Sequence, residues 1–185
     1  MKILAISGSP RDKTTNYMLR RILKNHNDSE LILLKDLSFC GCEDCRFCHK
    51  ENKCCIGDDL QGLFVKMENA DVLIFGSPTY FDNVSGLMKN FMDRCVHFWF
   101  SRKLEGKNAI IITSGNFEDC LEFDENGNCK WHNEEIESVK NCLDNMKIFC
   151  KHLGIKVIDK TYSLHENPSE RNNELDILSS KIKNL

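Results

Sequence analysis

The sequence predicts a doubly wound α/β fold, in which helices cover both faces of a five-stranded parallel sheet. Three observations predict it: short segments rich in branched apolar residues, amphipathic segments between them, and a length of 185 residues. Short branched runs are typical of strands buried on both faces, and their alternation with helices implies parallel strands. The length suits one domain, which we expect to cover residues 1–185.

Five segments have the composition of buried strands. They are Lys2–Ser7, Glu30–Leu34, Asp71–Ser77, Asn108–Ser114 and Ile155–Tyr162. Five parallel strands suit the flavodoxin-like arrangement, in which a ligand binds beyond the carboxyl ends of the strands where the strand order reverses. We therefore look for ligand-binding residues in the loops that follow the strands.

Five further segments show the apolar spacing of amphipathic helices. They are Thr15–Asn25, Leu60–Asn69, Ser85–Trp99, Glu134–Leu153 and Ser169–Lys183. The third segment carries two adjacent apolar stripes, a wider face than one side of a sheet needs. This width predicts a symmetric partner, so we expect a homodimer or a homotetramer.

Charge and hydropathy argue against two classes of partner. There are 25 Lys and Arg residues against 28 Asp and Glu, a net charge of −3, which disfavours nucleic-acid binding. No apolar run approaches the roughly 20 residues of a membrane-spanning helix, and the first residues do not resemble a signal peptide. We therefore expect a cytoplasmic protein without a membrane partner.

Cysteine is the compositional outlier. Six of the eleven cysteines fall between Cys40 and Cys55, inside a long loop over residues 36–57. Without a secretion signal a disulfide framework is not expected. The clustering therefore predicts a metal centre or a redox site in a reducing compartment.

The loop after the first strand, Ser7–Asn16, has the composition of a phosphate cradle. Gly8 permits a tight backbone turn, and the following helix offers free N–H groups and the positive end of its dipole. The candidate side chains are hydroxyl, amide and guanidinium donors: Ser9, Arg11, Thr14, Thr15 and Asn16. The segment matches neither the Walker nor the dinucleotide glycine pattern, so a phosphate monoester is the favoured ligand.

The loop after the third strand combines stiff, polar and aromatic residues suited to a planar heterocycle. A ring ligand needs hydrogen-bonding groups at its edge and an aromatic surface against its face. The candidates are Pro78, Thr79, Tyr80, Phe81 and Asn83.

These two loops carry a resemblance to a known family. Gly8–Arg11, Ser77–Tyr80 and Ser85–Arg94 together resemble the NADPH-dependent FMN reductase family over residues 1–115. The resemblance implies FMN, with its phosphate at Ser9, Arg11 and Thr14–Asn16 and its isoalloxazine ring at Pro78 through Asn83. The family usually has Ser-Asn-Thr where this chain has Thr14-Thr15-Asn16, so the same donor types occur in a different order.

The cysteine loop contains the pattern C-x2-C-x2-C-x5-C, formed by Cys42, Cys45, Cys48 and Cys54. Contiguous spacing of this kind suits an iron–sulfur cluster, although four sulfurs also suit zinc, and free or disulfide-linked thiols are a third alternative. With the Asp58-Asp59 pair that follows, the loop resembles the iron–sulfur flavoprotein branch of the family. That resemblance implies a [4Fe–4S] cluster beside FMN. We treat Cys40 and Cys55 as spectators, because cysteines one or two positions apart rarely both bind one cluster.

These features predict an FMN-dependent oxidoreductase that passes electrons between the cluster and FMN. The expected donor is ferredoxin or NAD(P)H, and the expected acceptor is oxygen, peroxide or a quinone. No side chain is expected to act as a catalytic acid or base, because the flavin supplies the chemistry. Two alternatives stay open: an NAD(P)H-dependent FMN or quinone reductase without a cluster, and a flavin carrier or redox sensor without turnover.

The other five cysteines divide into two groups. Cys95, Cys142 and Cys150 lie on apolar helical stripes and are expected in the core. Cys120 and Cys129 lie in an acidic loop over residues 115–133, where a redox pair is a weaker alternative to unpaired thiols.

Overall fold

The computed structural model describes residues 1–115, 122–127, 130–164 and 167–185. Cys120 and Cys129 fall outside these ranges, so the redox pair considered for them stays untested. Among the described residues, no helix combines the length and apolarity needed to cross a bilayer.

A parallel sheet forms the centre of the molecule, and all five predicted strands are present. The strands are β1 (Ile3–Ser7), β2 (Ser29–Leu33), β3 (Val72–Tyr80), β5 (Asn108–Ser114) and β6 (Lys156–Ser163). They lie in the order β2-β1-β3-β5-β6, and every neighbouring pair among them is parallel. The order reverses at β1, which confirms the predicted flavodoxin-like arrangement and brings the loops after β1 and β3 together.

A short antiparallel strand that the sequence analysis did not predict extends the end of β3. This strand, β4 (Asn83–Val84), pairs with Thr79 and Tyr80 through a two-residue turn. The two turn residues, Phe81 and Asp82, both have positive φ angles, of 47° and 61°. Positive φ at both central positions is typical of tight hairpin turns.

Helices cover both faces of the sheet. They are α1 (Thr14–Leu23), α2 (Cys48–Glu51), α3 (Leu60–Asn69), α4 (Gly86–Arg94), α5 (Val96–Ser101), α6 (His132–His152) and α7 (Asn172–Lys183). The predicted continuous helix over Ser85–Trp99 is wrong, because the chain leaves the helical conformation at Cys95, where ψ is 0°. The break turns His97 and Phe98 onto Phe64 of α3.

Two hydrophobic layers pack against opposite faces of the sheet. Because side chains alternate along a strand, Leu4 and Ile6 of β1 face one layer while Ile3 and Ala5 face the other. The first layer packs β1 and β3 against α3, α4 and α6, and the second packs them against α1 and α7. The carboxyl ends of the strands are left to the loops that carry the candidate site.

Candidate functional site

The loops after β1 and β3 meet at the carboxyl ends of the central strands. The Gly8 N–H donates to the Gly76 carbonyl at 2.8 Å. The Ser85 hydroxyl, which also caps α4, donates to the Gly8 carbonyl at 2.6 Å. A Cβ atom at Gly8 would lie only 2.6 Å from Cβ of Met88. This close approach therefore requires glycine at position 8.

Hydrogen bonds within the loop after β1 fix its conformation. The Ser9 hydroxyl donates to the Arg11 carbonyl at 2.7 Å and accepts from the Arg11 N–H at 3.3 Å. The N-cap residue of α1, Lys13, makes no side-chain cap to the helix. Backbone N–H groups at such an end, with Arg11 and Lys13 nearby, favour an anion.

One acidic residue, Asp12, lies in this basic loop, and Arg20 compensates its charge. Hydrogen bonds from Arg20 first, and from Asn16 second, lower the pKa of Asp12. The guanidinium of Arg20 contacts both carboxylate oxygens, at 2.5 and 3.0 Å. Because Arg20 compensates Asp12, the loop keeps the positive charge of Arg11 beside the cavity that this loop lines.

Two of the predicted phosphate ligands also stabilise the loop. The Asn16 amide group donates to the Arg11 carbonyl at 3.3 Å and to Asp12 at 3.1 Å, and its oxygen accepts from Ser7. The Thr15 hydroxyl lies 2.7 Å from the Ser114 hydroxyl of β5. Asn16 is fully buried, so its amide shapes the loop from within.

The loop after β3 presents its aromatic residues to solvent, while the Thr79 hydroxyl faces α6. Phe81, at the tip of the hairpin, is fully exposed, and Tyr80 is 44% exposed. The Thr79 hydroxyl donates to the Ser138 carbonyl of α6 at 3.2 Å, and the Asn83 side-chain oxygen accepts from the Val84 N–H at 2.8 Å. The hairpin is thus a fixed support with flat apolar surface facing solvent.

A cavity of about 170 Å³ joins the two loops. Seven of the ten predicted cofactor residues line it, namely Ser9, Arg11, Thr14, Thr15, Pro78, Thr79 and Tyr80. Asn16, Phe81 and Asn83 are not among its lining residues. Lys13, Ser114 and Gly115 also line it and were missed by the sequence analysis. Ser114 pairs with Pro78 in the sheet register, so the strand order was the signal that pointed to it.

The cysteine loop forms a second cavity, of about 490 Å³, on the side of the sheet that carries α4 and α5. The four predicted metal ligands, Cys42, Cys45, Cys48 and Cys54, all line it. Cys55 lines it too, and its Sγ lies 3.4 Å from Sγ of Cys45. The structure therefore brings the predicted set to one cavity together with one predicted spectator.

Local backbone geometry turns the thiols toward this cavity. Asp44 and Arg46 have positive φ angles of 49° and 58°, so the chain turns sharply on both sides of Cys45. Cys48 then begins the short helix α2, which Asn52 ends in the left-handed conformation. These successive turns let cysteines that are separated by two residues point their thiols in similar directions.

The thiols differ in their acidity. The pKa of Cys45 is lowered, first by a hydrogen bond from the Phe47 backbone N–H and then by Cys55. Burial raises the pKa of Cys48, and the neighbouring thiols of Cys42, Cys45 and Cys54 raise it further. The thiols of the other three predicted ligands therefore lie near Cys48.

The described residues contain no group of three or more His, Cys, Asp or Glu side chains gathered closely enough for a single metal ion. A zinc ion needs its sulfurs at about 2.3 Å from one point. A cluster distributes its cysteine ligands over several iron atoms, so its thiols lie farther apart. Cys42, Cys45, Cys48 and Cys54 place four sulfur donors at one cavity, and this donor chemistry fits an iron–sulfur cluster.

The described cysteines outside the cysteine loop are core residues, as predicted. Cys95, Cys142 and Cys150 are fully buried. Burial raises the pKa of Cys142 to about 11 and that of Cys150 to about 12. Such thiols stay protonated near neutral pH and do not act as nucleophiles or metal ligands.

The sheet order and the loops at its switch point define a protein of the flavodoxin-like class. The chain belongs to the NADPH-dependent FMN reductase family, whose family model matches residues 1–125. A WrbA-like flavodoxin from Agrobacterium tumefaciens has the same fold, with a TM-score of 0.67 and 15% identity over 99% of this chain and 94% of that protein.

Two curated relatives resemble part of the chain. A protein of Archaeoglobus fulgidus named iron–sulfur flavoprotein is 40% identical over 98 residues, which cover 51% of this chain and 48% of that protein. An iron–sulfur flavoprotein of Methanocaldococcus jannaschii is 37% identical over 119 residues, which cover 60% and 62%. The chain thus matches about half to three fifths of these relatives. They confirm the resemblance to the iron–sulfur flavoprotein branch.

Proposed function

We propose that this protein is an FMN-dependent oxidoreductase that transfers electrons between a [4Fe–4S] cluster and FMN. The observation that carries the proposal is the pair of cavities. One joins seven predicted cofactor residues at the sheet switch point, and the other is lined by all four predicted metal ligands. Family membership supports the flavin, and the names of the two relatives support the cluster.

Each loop has a definite task in this proposal. Thr14 and the N-terminus of α1 bind the phosphate by hydrogen bonds, as does Ser9 once its hydroxyl turns from the Arg11 carbonyl, while Arg11 neutralises the phosphate charge. Tyr80 packs against the ring, with Pro78 fixing the direction of the loop. When bound, FMN supplies one- and two-electron chemistry and the cluster supplies one-electron transfer.

The cysteine loop holds the cluster through Cys42, Cys45, Cys48 and Cys54. Three of these lie on one tight loop and α2, and Cys54 returns to the same cavity from the far side of α2. Cys40 does not line the cavity, which supports its assignment as a spectator.

The physiological electron donor is proposed to be a ferredoxin, because a cluster accepts one electron at a time. NAD(P)H is the alternative donor, and oxygen, peroxide or a quinone is the proposed acceptor. Steady-state turnover with reduced ferredoxin and with NADPH, each paired with these acceptors, distinguishes the two donors. If neither donor supports turnover, the protein is a carrier or a sensor and not an enzyme.

Anaerobic purification followed by ultraviolet–visible spectroscopy, flavin release by heating, and iron and acid-labile sulfide analysis tests both cofactors. We expect FMN together with iron and sulfide in equal amounts. Release of FAD would contradict the phosphate-site assignment. Stoichiometric zinc without sulfide would remove the cluster from the proposal and leave an FMN or quinone reductase with a zinc-stabilised loop.

A further inference from the structure

A buried arginine on α4 contacts the cysteine loop. The side chain of Arg94 is 0% exposed. A charged side chain is costly to bury unless it is paired and hydrogen-bonded. Arg94 meets this condition through Asp58, whose two carboxylate oxygens lie 2.6 and 3.1 Å from the guanidinium nitrogens.

The other hydrogen bonds of Arg94 go to residues at the two ends of the cysteine run. The guanidinium donates to the Cys40 carbonyl at 3.0 Å and to the Ile56 carbonyl at 3.3 Å. Its Nε atom lies 3.3 Å from Sγ of Cys54. One side chain therefore joins the residues that precede and follow the cluster ligands and also contacts the last ligand.

The acidic pair after the cysteines closes the same junction. The Ser38 N–H donates to Asp59 Oδ2 at 2.7 Å, and the Asp59 N–H donates to the Ser38 carbonyl at 3.3 Å. The Cys40 N–H reaches Asp58 Oδ2 at 3.4 Å. Hydrogen bonds thus close the loop at its base, and Asp58 and Arg94 take part in most of them.

The charge of this pair is retained in the folded protein. Burial alone would raise the pKa of Asp58, but hydrogen bonds and charge from Arg94 outweigh burial and lower it. Arginine offers five N–H donors in a planar fork, and lysine does not reproduce that geometry. Only arginine can contact two carbonyls, a carboxylate and a thiol at once from this position.

We propose that Arg94 is the positioning residue of the cysteine loop. It ties together both ends of the loop, directs Cys54 toward the cavity, and places a buried positive charge beside the Cys54 sulfur. The proposal rests on the proposed function in one respect, namely that the cavity holds the cluster. The closure of the loop by Arg94 does not depend on any bound group.

Three single variants of the full chain separate this role from a general contribution to stability. Arg94→Met removes the charge and the donors, and Arg94→Lys keeps the charge but loses the fork. Lys89→Met is the matched control, because Lys89 lies on the same helix, is exposed, and pairs only with Asp93 among the contacts described for it. Should Arg94→Met fail to fold, the double variant Arg94→Met with Asp58→Asn removes the unpaired buried charge.

Hydrogen exchange of the metal-free, FMN-loaded protein tests loop closure. We expect the amides of residues 38–40 and 58–59 to exchange about tenfold faster or more in Arg94→Met. The exchange rates of these amides in Arg94→Lys should lie between those in Arg94→Met and those in the unaltered chain. Lys89→Met should leave these rates unchanged. The amides of β1 and β3 should exchange at the same rate in all the variants. Unchanged exchange at the loop ends would overturn the proposal, as would faster exchange spread evenly over the whole sheet.

Reconstitution with iron and sulfide tests the positioning of the ligands. Arg94→Met should retain FMN but lose most of its iron, and Arg94→Lys should recover part of it with an altered visible spectrum. Undiminished iron in Arg94→Met would overturn the positioning role. If the unaltered chain takes up no cluster, the proposed function fails in that respect, while the exchange measurement still decides whether Arg94 closes the loop.

Discussion

The Ser85 hydroxyl donates a hydrogen bond to the Gly8 carbonyl at 2.6 Å, and this bond joins the two loops of the candidate flavin site. Ser85 also accepts from the Met88 N–H at 3.1 Å and so caps α4. The N-terminus of α4 is thereby fixed against the loop that is proposed to bind phosphate. The relative position of the phosphate and ring subsites depends on this contact.

Gly8→Ala should disrupt the flavin site. The new Cβ would lie 2.6 Å from Cβ of Met88 and 2.9 Å from Oγ of Ser85, so the two loops must separate. We expect a stability loss of about 1–3 kcal/mol from overpacking and a much weaker affinity for FMN, measured by fluorescence titration of the apoprotein. Gly62→Ala on α3 is the control, since no atom lies within 4 Å of its added Cβ. Equal FMN affinity in both variants would contradict this account.

Arg11→Ala should weaken FMN binding through the phosphate alone. Arg11 lines the cavity that is proposed to bind FMN, and loss of a hydrogen bond to a charged group should cost about 1–3 kcal/mol of binding free energy. Riboflavin, which lacks the phosphate, should bind both proteins equally. Arg102→Ala provides a control at an exposed site distant in sequence. A matching loss of riboflavin affinity would show that Arg11 shapes the ring site or the loop as a whole.

Much of the fold could be predicted from the sequence because it depends on local periodicity. The apolar patterns of buried strands and amphipathic helices repeat within a few residues, so the sequence alone indicates where these elements lie. The break at Cys95 was not predictable in this way. The apolar stripes continue across it, and the contacts of His97 and Phe98 with Phe64, which lies on a different element, form only in the folded chain.

The candidate site was predicted where its residues follow a strand, and missed where they depend on pairing between distant segments. Ser114 lines the cavity between the two loops because β5 pairs with β3. A lone arginine such as Arg94, on an amphipathic helix, usually faces solvent. Its burial depends on Asp58, which is distant in the sequence and approaches only after the chain has folded.

Trp99→Glu should weaken self-association. Val96 and Trp99 of α5 are 39% and 45% exposed beside the cysteine cavity, and adjacent exposed apolar groups favour a partner surface. We expect sedimentation at micromolar concentration to show a dimer or tetramer for the unaltered chain and smaller species for this variant. Ile177→Glu, at an exposed apolar residue on α7, is the matched control. A monomeric unaltered chain would contradict the predicted homo-oligomer.

Replacement of single cysteines should distinguish ligands from spectators. Cys45→Ala and Cys48→Ala should abolish the cluster absorption and leave FMN bound, because each removes one of the four proposed ligands. Cys40→Ala and Cys55→Ala should retain iron, as should Cys150→Ala in the core, measured by iron and sulfide content after anaerobic purification. Loss of iron in Cys55→Ala with retention in Cys54→Ala would mean that the fourth ligand is Cys55.

Thiol alkylation of the metal-free, reduced protein should follow the order of the pKa values. Only the thiolate reacts, so a lowered pKa moves reaction to lower pH and a raised pKa moves it to higher pH. Cys45, whose pKa is lowered first by the Phe47 N–H and then by Cys55, should react before Cys142 and Cys150, whose pKa values are about 11 and about 12 because of burial.

The measurement is iodoacetamide labelling at a series of values from about pH 6 to 9, followed by peptide mass spectrometry. In the folded protein Cys45 should be labelled first and the two core thiols should stay unlabelled over the whole range. In denaturant the three should react at similar rates, since burial no longer separates them. Labelling of Cys150 as fast as Cys45 in the folded chain would show that the core opens readily, and the assignment of its thiol as an inert packing group would then fail.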